Sequence, residues 1–118
     1  MKRFLFILGK APYEGLHVQE TLDMILATAA FEQSVSLLFL DQAVFQLNKN
    51  QHPGHQAVKE TASIFKSLPL YDVEKIYIET ESLGACGLTE DNLILPVILI
   101  NRQEIASFIA EHQVVINH

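Results

Sequence analysis

The strongest nucleophile in the chain is Cys86, the only cysteine in 118 residues. A thiol attacks as its thiolate, which forms readily beside a cation or at a helix N-terminus and poorly among carboxylates. Cys86 lies in E-T-E-S-L-G-A-C-G-L (79–88), with Glu79, Glu81, Glu90 and Asp91 close in sequence and no cation between Lys75 and Arg102. Gly84, Ala85 and Gly87 leave room for a partner to approach, but the charges predict an ordinary or raised thiol pKa. The expectation is a small residue in a turn rather than a working nucleophile.

Other chemistry is weaker still. Ser34, Ser36, Ser63, Ser67, Ser82 and Ser107 all lie outside any G-x-S-x-G elbow. His52 and His55 flank Pro53-Gly54 and supply two ligands where zinc takes three or four, while His17, His112 and His118 stand at no recognisable spacing. The segment G-K-A-P-Y-E-G (9–15) falls where a phosphate loop would lie, but it lacks G-x-G-x-x-G and the Walker spacing before Lys10. Glu14 also sets a negative charge where an anion would bind at the next helix N-terminus. The expectation is no metal and no cofactor, with the loop shaping a crevice together with residues 41–47.

Five strands must position these residues. Arg3–Leu8 is a continuous apolar run, as in a parallel strand covered on both faces. A helix of about four turns follows, with Val18, Leu22, Ile25, Leu26 and Ala29 on one face. Ser34–Leu40 reads as the second strand, and Asp41 as the cap of a short helix in D-Q-A-V-F-Q-L. After a polar turn at 48–55, Val58, Ala62, Phe65 and Leu68 mark a helix that Pro69 ends. Val73–Glu79 is the third strand, and the helical turn carrying Cys86 follows it. Pro96 delays the fourth strand to Val97, and Asn101 with Glu104 forms a capping box for a helix burying Ile105, Phe108, Ile109 and part of His112. Residues 113–117 form the fifth strand. Strands alternating with helices predict one α/β domain over 1–118, a three-layer α/β/α sandwich with a five-stranded, mainly parallel sheet. Chemistry in such a sheet collects at the carboxyl ends of the strands.

The net charge is −6, and residues 72–91 hold six carboxylates against Lys75 alone. Such a surface repels phosphate backbones, so direct nucleic-acid binding is not expected. Apolar runs fall well short of the ~20 residues of a membrane span. The M-K-R-F-L-F-I-L-G start has too short an apolar run, and no A-x-A-like site before Pro12, for a signal peptide, so a cytoplasmic location is expected. One cysteine excludes an internal disulfide. Val44, Phe45 and Leu47 follow a strand directly, and some of them are expected at a subunit contact.

D-Q-A-V-F-Q-L (41–47), F-K-S-L-P-L-Y-D-V-E (65–74) and E-S-L-G-A-C-G-L (81–88) carry a resemblance over nearly the whole chain. The sequence resembles the DsrE/DsrF-like sulfur-relay family, and within it the TusC/DsrF type of subunit. The resemblance implies a cytoplasmic heterohexamer built with TusB-like and TusD-like (DsrH-like and DsrE-like) sister subunits. That complex passes persulfide sulfur between carrier proteins, toward 2-thiolation of the tRNA wobble uridine in one branch and sulfur oxidation in the other. The family's sulfur-bearing cysteine belongs to the TusD/DsrE type, at the end of the third strand. Counting back from Leu83, its position falls on Ile78, so no catalytic role carries over to this chain or to Cys86. A non-catalytic subunit is therefore implied, with direct sulfur transfer by Cys86 as the alternative.

Overall fold

The computed structural model describes residues 2–9, 16–31, 33–49 and 65–117, the side chains of 16–19 excepted. The expected loop residues 10–15, the His52/His55 pair and the helix positions Val58 and Ala62 lie outside this set. The sheet has five strands, β1 (Arg3–Leu8), β2 (Ser34–Phe39), β3 (Lys75–Glu79), β4 (Ile98–Ile100) and β5 (Val114–Asn117). Their order is β4-β3-β2-β1-β5, and every pair is parallel. This is the expected α/β/α sandwich.

The alternation of side chains along the strands builds two apolar layers. On one face Phe6, Leu8, Val35, Leu37, Phe39, Ile76 and Ile78 pack beneath Leu22 and Ile25 of α1 (Leu16–Ala30), with Phe65 and Leu68 closing the layer. On the other, Leu5, Ile7, Leu38 and Ile100 meet Phe108. The central strands are buried on both sides, which is why Phe4–Leu8 of β1 and Leu37–Phe39 of β2 read as continuous apolar runs rather than alternating ones. Phe39 and Phe65 meet edge-on at 5.6 Å between centroids, the geometry that their ring quadrupoles favour.

Strand ends differ from expectation by one or two residues. β3 begins at Lys75 rather than Val73, because Leu68–Tyr71 forms a 3-10 turn and Val73 donates its N–H back to the Leu68 carbonyl at 3.1 Å. The α-helical residues end at Ser67, next to the expected stop at Leu68, and Pro69 sits in the first turn of the 3-10 segment, where its missing N–H is no loss. β2 ends at Phe39, β4 begins at Ile98 and β5 at Val114. The capping box holds: the Glu104 carboxylate accepts the Asn101 N–H at 3.3 Å. It opens a 3-10 turn leading into α3 (Ile105–Ala110), which buries Phe108 and half-buries Ile105 and Ile109.

Phe39 is fully buried in the layer beneath α1. Phe39→Ala is expected to cost about 3–5 kcal/mol of stability, read as a lowered urea midpoint at unchanged slope.

Candidate functional site

The carboxyl ends of β2, β3 and β4 converge on one polar cluster. The register sets Leu8, Phe39, Ile78 and Leu99 side by side in a row across the sheet. Glu79, one residue beyond Ile78, is paired with Ile100 at the sheet's end. Ile78 itself is fully buried in the core.

Glu79 is the centre of the cluster. It is only 5% exposed, so its charge needs partners. Arg102, just past β4, supplies them, donating from Nε to Oε2 at 3.2 Å and from Nη2 to Oε1 at 3.0 Å. The Ser82 hydroxyl donates to Oε1 at 2.6 Å. These contacts, the Arg102 hydrogen bonds foremost, hold the Glu79 carboxyl below its usual range against the opposing effect of burial. The same pair holds the Arg102 proton more tightly than usual. Glu81 fixes the approach of Arg102 by accepting its backbone N–H at 2.9 Å.

Asp41 departs from expectation. It does not cap the helical segment Asp41–Leu47, whose N-cap is Leu40; it is the segment's first residue, in the left-handed region at φ 51°. Its N–H donates to the Ser82 oxygen at 2.8 Å, and its carbonyl accepts the Cys86 thiol at 3.5 Å. Of the apolar residues expected at a contact, Val44 and Leu47 are fully buried in the core, and Phe45 alone stays half-exposed.

Cys86 ends the short helix α2 (Thr80–Ala85). The helix stops because Gly87 takes φ 70°, letting its N–H reach the Gly84 carbonyl while Leu88 N–H reaches Leu83. This paired closure needs a left-handed residue just past the helix, and glycine takes it without a Cβ clash. The thiol borders a cavity of about 300 Å3 lined by Asp41, Gln42, Phe45, Ser82, Ala85 and Arg102. Burial, then the Asp41 charge, pushes its pKa up. The direction is the expected one, but the cause is not: the responsible carboxylate is Asp41 rather than the acidic residues near Cys86 in sequence. Arg102 lines the same cavity, yet its hydrogen bonds go to Glu79 rather than to the sulfur.

Among the described residues the other candidates do not join this cluster. The described histidine, His112, packs its ring against Phe108 at 4.9 Å and has Nδ1 2.9 Å from the Phe108 carbonyl. A carbonyl only accepts, so Nδ1 carries the proton. Among the described residues no group of three or more His, Cys, Asp or Glu converges as metal ligands, and no helix is long and apolar enough to cross a membrane. The Arg102–Glu79–Ser82 chain went unread in the sequence. Its only local signal is a glutamate ending an apolar strand, with a serine three residues on.

These features define an α/β sheet protein whose β3 end carries a buried aliphatic residue and a neutralised carboxylate. The chain belongs to the DsrE/DsrF-like family, whose pattern it matches over residues 2–118. It is 35% identical over 112 residues to a protein TusC homolog of Pseudomonas aeruginosa, covering 95% of this chain and 94% of that one. It is 38% identical over 94 residues to the intracellular sulfur oxidation protein DsrF of Allochromatium vinosum, covering 80% of this chain and 69% of that one. The fold also matches the crystal structure of the ychN protein from E. coli at a TM-score of 0.80, with 19% identity and full coverage of both chains.

Two outcomes follow from the site. A carboxyl with a depressed folded pKa stabilises the native state fully above its unfolded value of about 4.3, and this contribution fades as pH falls through the folded value. Glu79→Gln is therefore expected to lower stability at pH 7, with the gap to wild type closing as pH drops below about 4 in urea titrations. A gap independent of pH would show that the charge is not what matters. Cys86 is expected to react with iodoacetamide more slowly than a free cysteine at pH 7.5, its rate rising only at higher pH. Faster alkylation than the free thiol would reverse the reading of its surroundings.

Proposed function

We propose that this chain is a non-catalytic subunit of a cytoplasmic heterohexameric sulfurtransferase that relays persulfide sulfur toward 2-thiolation of the tRNA wobble uridine. Its partners on this reading are TusB-like and TusD-like sister subunits, with sulfur carriers engaged through the complex. The observation that carries the reading is the β3 end, where Ile78 is fully buried and Glu79 is locked by Arg102 and Ser82. Relay requires an accessible thiolate to attack the outer sulfur of a donor persulfide, with the donor thiolate leaving. A hydrocarbon offers no such electron pair. The one thiol in the chain has a raised pKa and so keeps little thiolate at neutral pH.

End-to-end similarity to the TusC homolog, against partial coverage of DsrF, favours the tRNA branch over sulfur oxidation. The acidic strand end disfavours direct tRNA contact, leaving nucleic acid to other members of the pathway. Exposed Leu70 and Tyr71, and half-exposed Phe45, offer apolar surface for assembly.

The test is co-expression of the tagged chain with the two sister subunits, followed by transfer of radiolabelled sulfur from a cysteine desulfurase. A single hetero-oligomer is expected, weakened by Phe45→Glu, with label on the TusD-like subunit. Cys86→Ser should leave downstream thiolation within about twofold of wild type, as an uninvolved thiol requires. Reducible label on this chain that vanishes in Cys86→Ser, together with lost thiolation, would make the chain a relay enzyme instead.

A further inference from the structure

Asp41 is held on both sides of its peptide unit by one short helix. Ser82 of α2 takes its N–H at 2.8 Å, and Cys86 at the end of α2 donates to its carbonyl at 3.5 Å. Asp41 is also the residue at which the chain turns. Leu40 still continues the sheet, donating its N–H to the Leu8 carbonyl at 2.9 Å. The next residue swings to φ 51°, and the helical segment Asp41–Leu47 departs from there. In this conformation an L-residue's Cβ crowds the carbonyl oxygen; glycine adopts it freely, while aspartate, here at Asp41 and Asp72, adopts it at some cost. Something must hold Asp41 there.

We propose that Ser82 is the latch: its hydroxyl, oriented by the Glu79 carboxylate, keeps Asp41 left-handed and so sets the direction in which the Asp41–Leu47 segment leaves β2. A serine hydroxyl has one proton and two lone pairs. The 2.6 Å bond to Glu79 Oε1 commits the proton and leaves the lone pairs for the Asp41 N–H. Arg102 holds Glu79 from the far side, so the line of bonds runs from the end of β4, through β3 and α2, to the end of β2. The Asp41 N–H and the Ser82 hydroxyl donate in one direction toward the carboxylate, so these two bonds reinforce each other, and Arg102 donates to the carboxylate from the opposite side. The position that results drops Ala43, Val44 and Leu47 into the core and leaves Phe45 beside the cavity. Ser82 is thus a positioning residue, acting on the segment through Asp41. The inference rests on the preceding reading only in taking that segment as a partner surface. It is tested on the full chain without partners, so the two fail separately.

The experiment is hydrogen exchange with mass spectrometry on four forms: wild type, Ser82→Ala, Asp41→Gly and the double variant. In Ser82→Ala, amides of residues 42–47 should exchange roughly tenfold faster while those of α1 keep their protection. Glycine takes φ near 51° without a latch, so in the Asp41→Gly background the same serine replacement should change exchange by no more than about twofold. Equal acceleration in both backgrounds would show that Ser82 serves only packing, and overturn the proposal. So would acceleration spread evenly over α1, or none at all. If Ser82→Ala alone does not fold, recovery of the folded chain in the double variant supports the latch. A double variant that also fails to fold overturns it.

Discussion

A carboxylate sealed under a sheet end must be neutralised by its neighbours or give up its charge, and Glu79 is that group here. Desolvation pushes its proton affinity up; the guanidinium of Arg102 and the hydroxyl of Ser82 push it down and prevail. The residues that satisfy it come from 23 and 3 positions away in sequence, which is what gathers β4 and α2 onto the end of β3. The pair is asymmetric, with the Arg102 side chain 65% exposed and that of Glu79 only 6%. Most of the penalty for separating them thus falls on the glutamate, which has no water to fall back on. A surface ion pair of this appearance contributes little; its weight here comes from the buried end.

The parts of this arrangement that obey local rules were legible beforehand. β1 has the bounds that its apolar run implies, and the Asn101–Glu104 box and the helical turn before Cys86 stand where their residue types place them. Leu22 and Ile25 point inward on α1 as a 3.6-residue period requires. What was not legible depends on strands brought together by topology. Counting charges along the chain put Glu79, Glu81, Glu90 and Asp91 around Cys86, yet the carboxylate that acts on the thiol belongs to Asp41, 45 residues earlier. Asp41 misleads for a related reason. An aspartate between a strand and a helix has the composition of a cap, but its side-chain role passes to Ser82, and its backbone takes the turn instead. Val44 and Leu47 were ambiguous because a short element cannot show by periodicity which apolar face is inward.

Two ionisable groups at one strand end shift in opposite directions: the Arg102 hydrogen bonds lower Glu79, whereas burial, then the Asp41 charge, raises Cys86. Arg102 borders both Glu79 and the cavity of Cys86, but a guanidinium donates along fixed directions in its plane. Two of those directions are taken by Glu79. Glu79 is stabilised as an anion, and Cys86, raised first by burial and then by the Asp41 charge, is stabilised as a neutral thiol. A relay site needs the reverse assignment, with the positive charge facing the sulfur and no competing carboxylate between them. The ion pair thus closes the sheet end with the guanidinium donors on Glu79, while the sulfur faces the Asp41 carbonyl instead.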